Sequence, residues 1–164
     1  MRFVLAAVLG CGTALAQTNA SAADQKFVDF AAQTDMMEAH LAQMAQDQAD
    51  AQAVKDYAQM LNSDHTKDYT MLTDTASKDG LTVPKGLDAK HDAIIRPFEK
   101  LKGAAFDHKY ITTMISGHEQ AITEYKHEAA DGQNADIKQY ATNALPVLQK
   151  HLDGAKNLEK EHTK

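Results

Sequence analysis

Glu38, His65, His118 and His151 stand far apart in a chain of 164 residues. Each sits on a run of helically spaced, mostly apolar positions. Three imidazoles and a carboxylate, if brought together, are a ligand set for zinc, iron or copper. Asp64 and Asp68 flank His65 in "SDHTKD". Asp68, one helical turn on, is placed to accept a ring hydrogen of His65 and fix its tautomer, as outer carboxylates do around metal-bound histidines. The same residues have a metal-free reading, in which a buried His–Glu–His–His network only sets the register of the helices. Both readings stand at this level.

The elements that must position these residues are helices. Apolar residues recur at three- and four-residue steps, and period-two runs of β-branched or aromatic residues are missing. A first helix is expected from about Ala23 to Ala49, with Phe27, Ala31, Thr34, Glu38, Leu41 and Ala45 along one seam. A second, from about Ala51 to Lys78, aligns Val54, Ala58, Leu61, His65, Asp68, Leu72 and Ala76. Another, from about Ala104 to Ala130, aligns Ile111, Met114, His118, Ile122, Tyr125 and Ala129. The last, from about Ala135 to Glu161, aligns Ile137, Ala141, Ala144, Leu148, His151, Ala155 and Leu158. Alternating three and four is the repeat of near-parallel helix packing. An all-α, up-down four-helix bundle follows, with tight turns at "DQADAQ" and "DGQNAD". The longer crossover carries Gly80, Pro84 and Gly86 and a short helix in "AIIRPFEKL" interrupted at Pro97. "VKDYAQML" and "IKQYATNAL", each opening the second helix of a hairpin, form a weak internal echo.

Counting from the helix ends puts the four residues in one layer. His65 falls about 14 residues before the crossover and His118 about 14 after it, roughly 21 Å along each axis at 1.5 Å per residue. Glu38 and His65 lie about 12 and 15 residues from the first turn, and His118 and His151 about 15 and 18 from the second, by the same count along the helix axes. On this count Leu41, Leu61, Ile122 and Leu148 form an apolar lid on the turn side. Thr34 or Asp35, Asp68, Met114 and Ala155 lie on the crossover side.

Residues 1–22 have the form of a secretory signal: Arg2, an apolar run from Phe3 to Ala16, and the small-x-small sites "ALA" and "ASA". Cleavage is expected after Ala16 or Ala22, leaving a bundle domain over residues 23–161 in a periplasmic or secreted protein. Cys11, the one cysteine, leaves with the signal, so neither disulfide nor thiolate ligand is available. No later apolar run reaches the roughly 20 residues that span a bilayer. The formal net charge is −6, more negative still without Arg2, and spread without a basic block. This argues against nucleic acid or an anionic membrane as partner. Nothing in the sequence names a protein partner.

Signatures of catalysis are missing: there is no nucleophile elbow, phosphate loop or paired-carboxylate motif. The paired Glu-x-x-His of di-iron bundles is also missing, because Asn62 and Leu148 stand three residues before His65 and His151. Enzymatic activity is therefore not assigned. The methionines at 36, 37, 44, 60, 71 and 114 are read as adaptable core filling rather than copper ligands. His40, His91, His108, His127 and His162 are read as solvated. Pro146 is expected to bend the last helix close to His151.

Taken together, "AADQKFV", "DHTK" at 64–67, "GAAFDHKYITTMISGH" at 103–118 and "LPVLQKHL" at 145–152 resemble a bacterial family of exported, ferritin-like four-helix proteins, domain of unknown function 4142. The resemblance runs from Ala23 to Leu158, and its motif positions fall on Asp64, His65, His118, Pro146 and His151. It implies an exported helical bundle and names no reaction. Two expectations go forward: a metal-binding bundle protein, and a non-enzymatic structural or stress-related envelope module whose polar layer only holds register.

Overall fold

The computed structural model describes residues 21–162; the expected signal segment and Cys11 lie outside them, apart from Ser21 and Ala22. Among the described residues there are helices and no strands. Four long helices, α1 (Ala22–Gln48), α2 (Gln52–Lys78), α4 (Ala104–Asp131) and α5 (Ala135–His162), carry the core, and α3 (Ala89–Ile95) with a 3-10 segment (Arg96–Lys100) sits in the crossover. These bounds fall within a residue of those expected for the long helices. The interruption at Pro97 marks the change from α to 3-10 geometry.

Each boundary has a local cause. Ser21 caps α1 in a capping box with Asp24. The start of α2 has no cap of its own; Asp107 of α4 instead accepts from the backbone N–H groups of Asp50 and Ala51. Asn134 accepts from the N–H groups of Asp136 and Ile137 at the start of α5. At the end of α2, Gly80 takes φ +73°, with Leu81 N–H bonded to Ala76 O and Gly80 N–H to Ser77 O. That left-handed stop is why a glycine is needed there.

The directions of the helices differ from the expected alternation. Asp24, at the start of α1, accepts from the backbone of Gln133 and Asn134, and Asn134 donates to Asp79 beyond the end of α2. At the opposite end Gly103 N–H bonds Gln48 O. Hence α1 and α5 run one way, and α2 and α4 the other. The crossover must therefore travel the length of the molecule, and it does so alongside α1. Thr82 pairs with Gln25, Gly86 and Asp88 with Gln33, and Glu99 with Gln48. Within each hairpin the neighbours are antiparallel, and α1 also packs on α4 and α2 on α5.

This direction overturns the expected apolar lid. The two turns lie at opposite ends, so Leu41 and Leu61 pack with Met114 and Ala155 in one cluster. Ile122 and Leu148 pack with Phe27, Leu72 and Ile137 in the other. Between the two clusters sits a buried polar layer.

Candidate metal centre

Glu38, His65, His118 and His151 all lie near the middle of their helices, so they are level whichever way each helix runs. The structure brings the four together. Glu38 and His118 have no exposed surface, and His151 and His65 are 1% and 2% exposed. The ring centroids of the three histidines are 5.3 to 5.7 Å apart, and one ligand nitrogen from each lies within 4.8 Å of the others. Glu38 Oε2 is 2.9 Å from His65 Nε2 and 3.4 Å from His118 Nε2.

Every ring has one nitrogen tied outward. His65 Nδ1 is 2.8 Å from Asp35 Oδ1, His118 Nδ1 is 2.8 Å from the carbonyl of Met114, and His151 Nε2 is 3.1 Å from Asp64 Oδ2. Carbonyls and carboxylates only accept, so in a neutral ring each of these nitrogens carries the hydrogen. The opposite nitrogen then presents a lone pair. Those opposite nitrogens, His65 Nε2, His118 Nε2 and His151 Nδ1, are buried with no hydrogen-bond partner, and so are both oxygens of Glu38. The 2.9 Å approach of His65 to Glu38 is thus an ion-pair distance without hydrogen-bond alignment. Leaving buried polar atoms unpaired costs roughly 1–3 kcal/mol each. Lone pairs facing one another across 3.4 Å call for a cation between them.

A tetrahedral ion with bonds of about 2.0–2.2 Å sets its ligand atoms roughly 3.4 Å apart. The two Glu38 distances are already near that spacing, and the three nitrogens reach it by drawing inward. Without a metal, a proton takes part of this role. Burial opposes charge on His65, but Glu38 and Asp35 on either side outweigh it and hold the ring protonated far above its usual range. Burial likewise pushes Glu38 up, and the surrounding imidazoles, His118 foremost, bring it below the ordinary carboxylate value. Burial drives His151 down to about 4, keeping it neutral.

The outer residues are distributed differently from expectation. Asp64 does support the layer, through His151. Asp68 does not hold His65; its Oδ2 accepts the Tyr140 hydroxyl at 2.6 Å, and Tyr140 lies 3.2 Å from Tyr125. Asp35 takes the place expected of Asp68, and burial raises it to about 7. Its position three residues before Glu38, on the same helical face, was the available clue. Tyr57 was also missed: its hydroxyl donates to the His151 carbonyl. Tyr57 and Tyr140, equivalent in the internal echo, reach across between α2 and α5 from opposite sides.

Of the other histidines, His40, His108 and His127 are exposed, and the side chain of His162 lies outside the described residues. His91 is buried instead, its Nδ1 2.7 Å from Asp88 Oδ1 at the start of α3. The crossover's packing on α1 covers it. Met71 is half exposed and Met114 fully buried, and α5 continues unbroken through Pro146.

The molecule is thus an all-helical protein with a buried layer of three histidines and a glutamate. The chain belongs to the family described as Domain of unknown function (DUF4142), whose model matches residues 10–158. No curated protein and no solved structure gives a significant match. Among the described residues, no helix is long and apolar enough to cross a membrane.

Proposed function

We propose that this chain is an exported bacterial protein, periplasmic or secreted, that folds as a ferritin-like four-helix bundle. In this reading it holds one first-row transition metal ion through Glu38, His65, His118 and His151. The observation that carries it is the division of the layer's polar atoms: each ring is tied outward at one nitrogen, while the inward atoms and the Glu38 carboxylate have no partner. That is how metal-bound histidines are oriented. One long crossover joining two hairpins supports the ferritin-like description. With one histidine from each of three helices and no second carboxylate in the layer's inner ring, the centre is mononuclear. Imidazole and carboxylate donors without thiolate suit zinc, iron or copper. No catalytic role is assigned, and the acidic charge supports neither nucleic acid nor an anionic membrane as partner.

The second reading, a register device without metal, draws support from His65, which as an imidazolium would partly neutralise Asp35 and Glu38. Elemental analysis of protein purified without chelators, together with melting in the presence of zinc, iron(II) or copper(II), separates the two. Stoichiometric metal and a raised melting temperature, both lost in His65→Ala and His151→Ala, support the metal centre. Wild-type melting unmoved by all three metals, with none found by analysis, leaves the register device.

A further inference from the structure

A buried centre needs a way in. Hydrated cations do not cross a packed apolar interior without a large loss of hydration energy, and apolar clusters close this layer on both sides along the helix axes. Between α2 and α5, however, a pocket of about 190 Å³ opens to solvent, and His65 and His151 form part of its wall. Asp64 and Asp68 line the same pocket. Met71 and Val147 line it too, at 49% and 43% exposed, the large apolar side chains most open to solvent among the described residues. Asp64 is about one-third exposed and touches His151, so it links solvent to a ligand of the centre. A second pocket, among α1, α3 and α4, carries Lys90 and no carboxylate, whereas in the α2–α5 pocket Lys67 stands beside two carboxylates, so only the latter offers a cation net negative charge.

We propose that the α2–α5 pocket is the passage by which a hydrated divalent cation enters and leaves the centre, with Asp64 taking the ion from solvent and passing it to His151. The proposal rests on the metal-centre reading. Its carboxylates favour a free dication over an anionic metal complex. Exposed Met71 and Val147 form an apolar rim that a larger side chain can plug, and neither residue is a ligand of the centre.

Cobalt(II) chloride added to the metal-free full chain, followed by stopped-flow absorbance, reads both binding and release. Val147→Trp is expected to slow association and dissociation alike, by roughly tenfold or more, with the equilibrium affinity unchanged. Equal slowing of both rates marks a blocked path rather than a damaged site. Met71→Trp, from the opposite wall, repeats the test should Val147→Trp fold poorly. Gln120→Trp, in the second pocket, should leave both rates at wild-type values. Wild-type rates in both rim variants, or slowing only in Gln120→Trp, overturn the passage while leaving the metal centre intact. No cobalt absorption in the wild type removes the centre itself, and the passage with it.

Discussion

His65 Nδ1 lies 2.8 Å from Asp35 Oδ1, both groups almost wholly buried, and this contact turns the opposite nitrogen of the ring toward Glu38. Asp35 and Glu38 occupy one face of α1, so a single helix supplies both the residue that orients the imidazole and the carboxylate it faces. The first prediction follows from this division of labour. Asp35→Ala removes no inward-facing atom, yet it should weaken zinc binding by about 10–100-fold, the usual cost of losing the partner of a metal-bound histidine. Asp68→Ala, which removes a partner of Tyr140 and Tyr125 rather than of a residue in the layer, should leave the affinity near wild type. Competition with a zinc-binding dye measures both. Equal affinities for Asp35→Ala and wild type would show that the contact does not orient a ligand.

The layer was legible in the sequence because its four residues sit at mid-helix, where an error in helix direction does not move them. The apolar neighbours had no such protection. Leu41 and Ile122 were assigned to one side because each lies between its histidine or glutamate layer and a turn; the turns are at opposite ends, so the residues are too. What set the direction was the crossover's path along α1, held by Gln25, Gln33 and Gln48. Side-chain to backbone bonds of that kind carry no periodicity. His91 was misjudged for the same reason, since its burial depends on where the crossover lies.

A second prediction concerns the far end of the molecule. Glu128 of α4 lies beside Asp24, and burial together with the Asp24 carboxylate raises Glu128 from 4.5 to about 7. A carboxyl whose pKa is raised on folding binds its proton more tightly in the native state. Its contribution to stability is complete below about pH 4.5 and is lost as pH rises through 7. Chemical denaturation at pH 5 and pH 8 should show this decline, and Glu128→Gln, which cannot ionise, should reduce it, leaving the part that Asp35, also raised to about 7, contributes. A decline of the same size in the variant would place its origin elsewhere.

Processing is the third. Ser21 caps α1, its hydroxyl accepting from the Asp24 backbone N–H and donating to the Asp24 carboxylate, and removal of such a cap costs about 1 kcal/mol. Cleavage after Ala16 keeps Ser21, whereas cleavage after Ala22 deletes it and the first residue of the helix. On the proposed export, the mature chain is therefore expected to begin at Gln17, and Ser21→Ala in that form to lose about 1 kcal/mol of stability. Intact-mass measurement of the periplasmic fraction gives the start directly. A chain beginning at Ala23 rules this out, and a full-length chain overturns the proposed export.

The last prediction separates the metal centre from a register device by one methyl group. Gly117 precedes His118 on α4, and a Cβ there would lie 2.9 Å from Glu38 Oε1. Alanine in the interior of a helix is favoured over glycine by about 1 kcal/mol, and the atom it crowds is the tip of a flexible side chain. Metal-free Gly117→Ala should therefore melt close to the wild type. The Glu38 carboxylate, however, must move off the position from which it faces His65 and His118. With zinc at about 100 times the wild-type dissociation constant, the wild type gains about 2.7 kcal/mol, and each tenfold loss of affinity removes roughly 1.4 kcal/mol of that gain. The variant should show a clearly reduced response to zinc on a fold of ordinary stability. If the layer only sets register, the displaced carboxylate destabilises the metal-free protein and zinc changes neither form. Calorimetric melting of both proteins with and without zinc distinguishes these outcomes, because one reading puts the deficit in the metal response and the other in the bare fold.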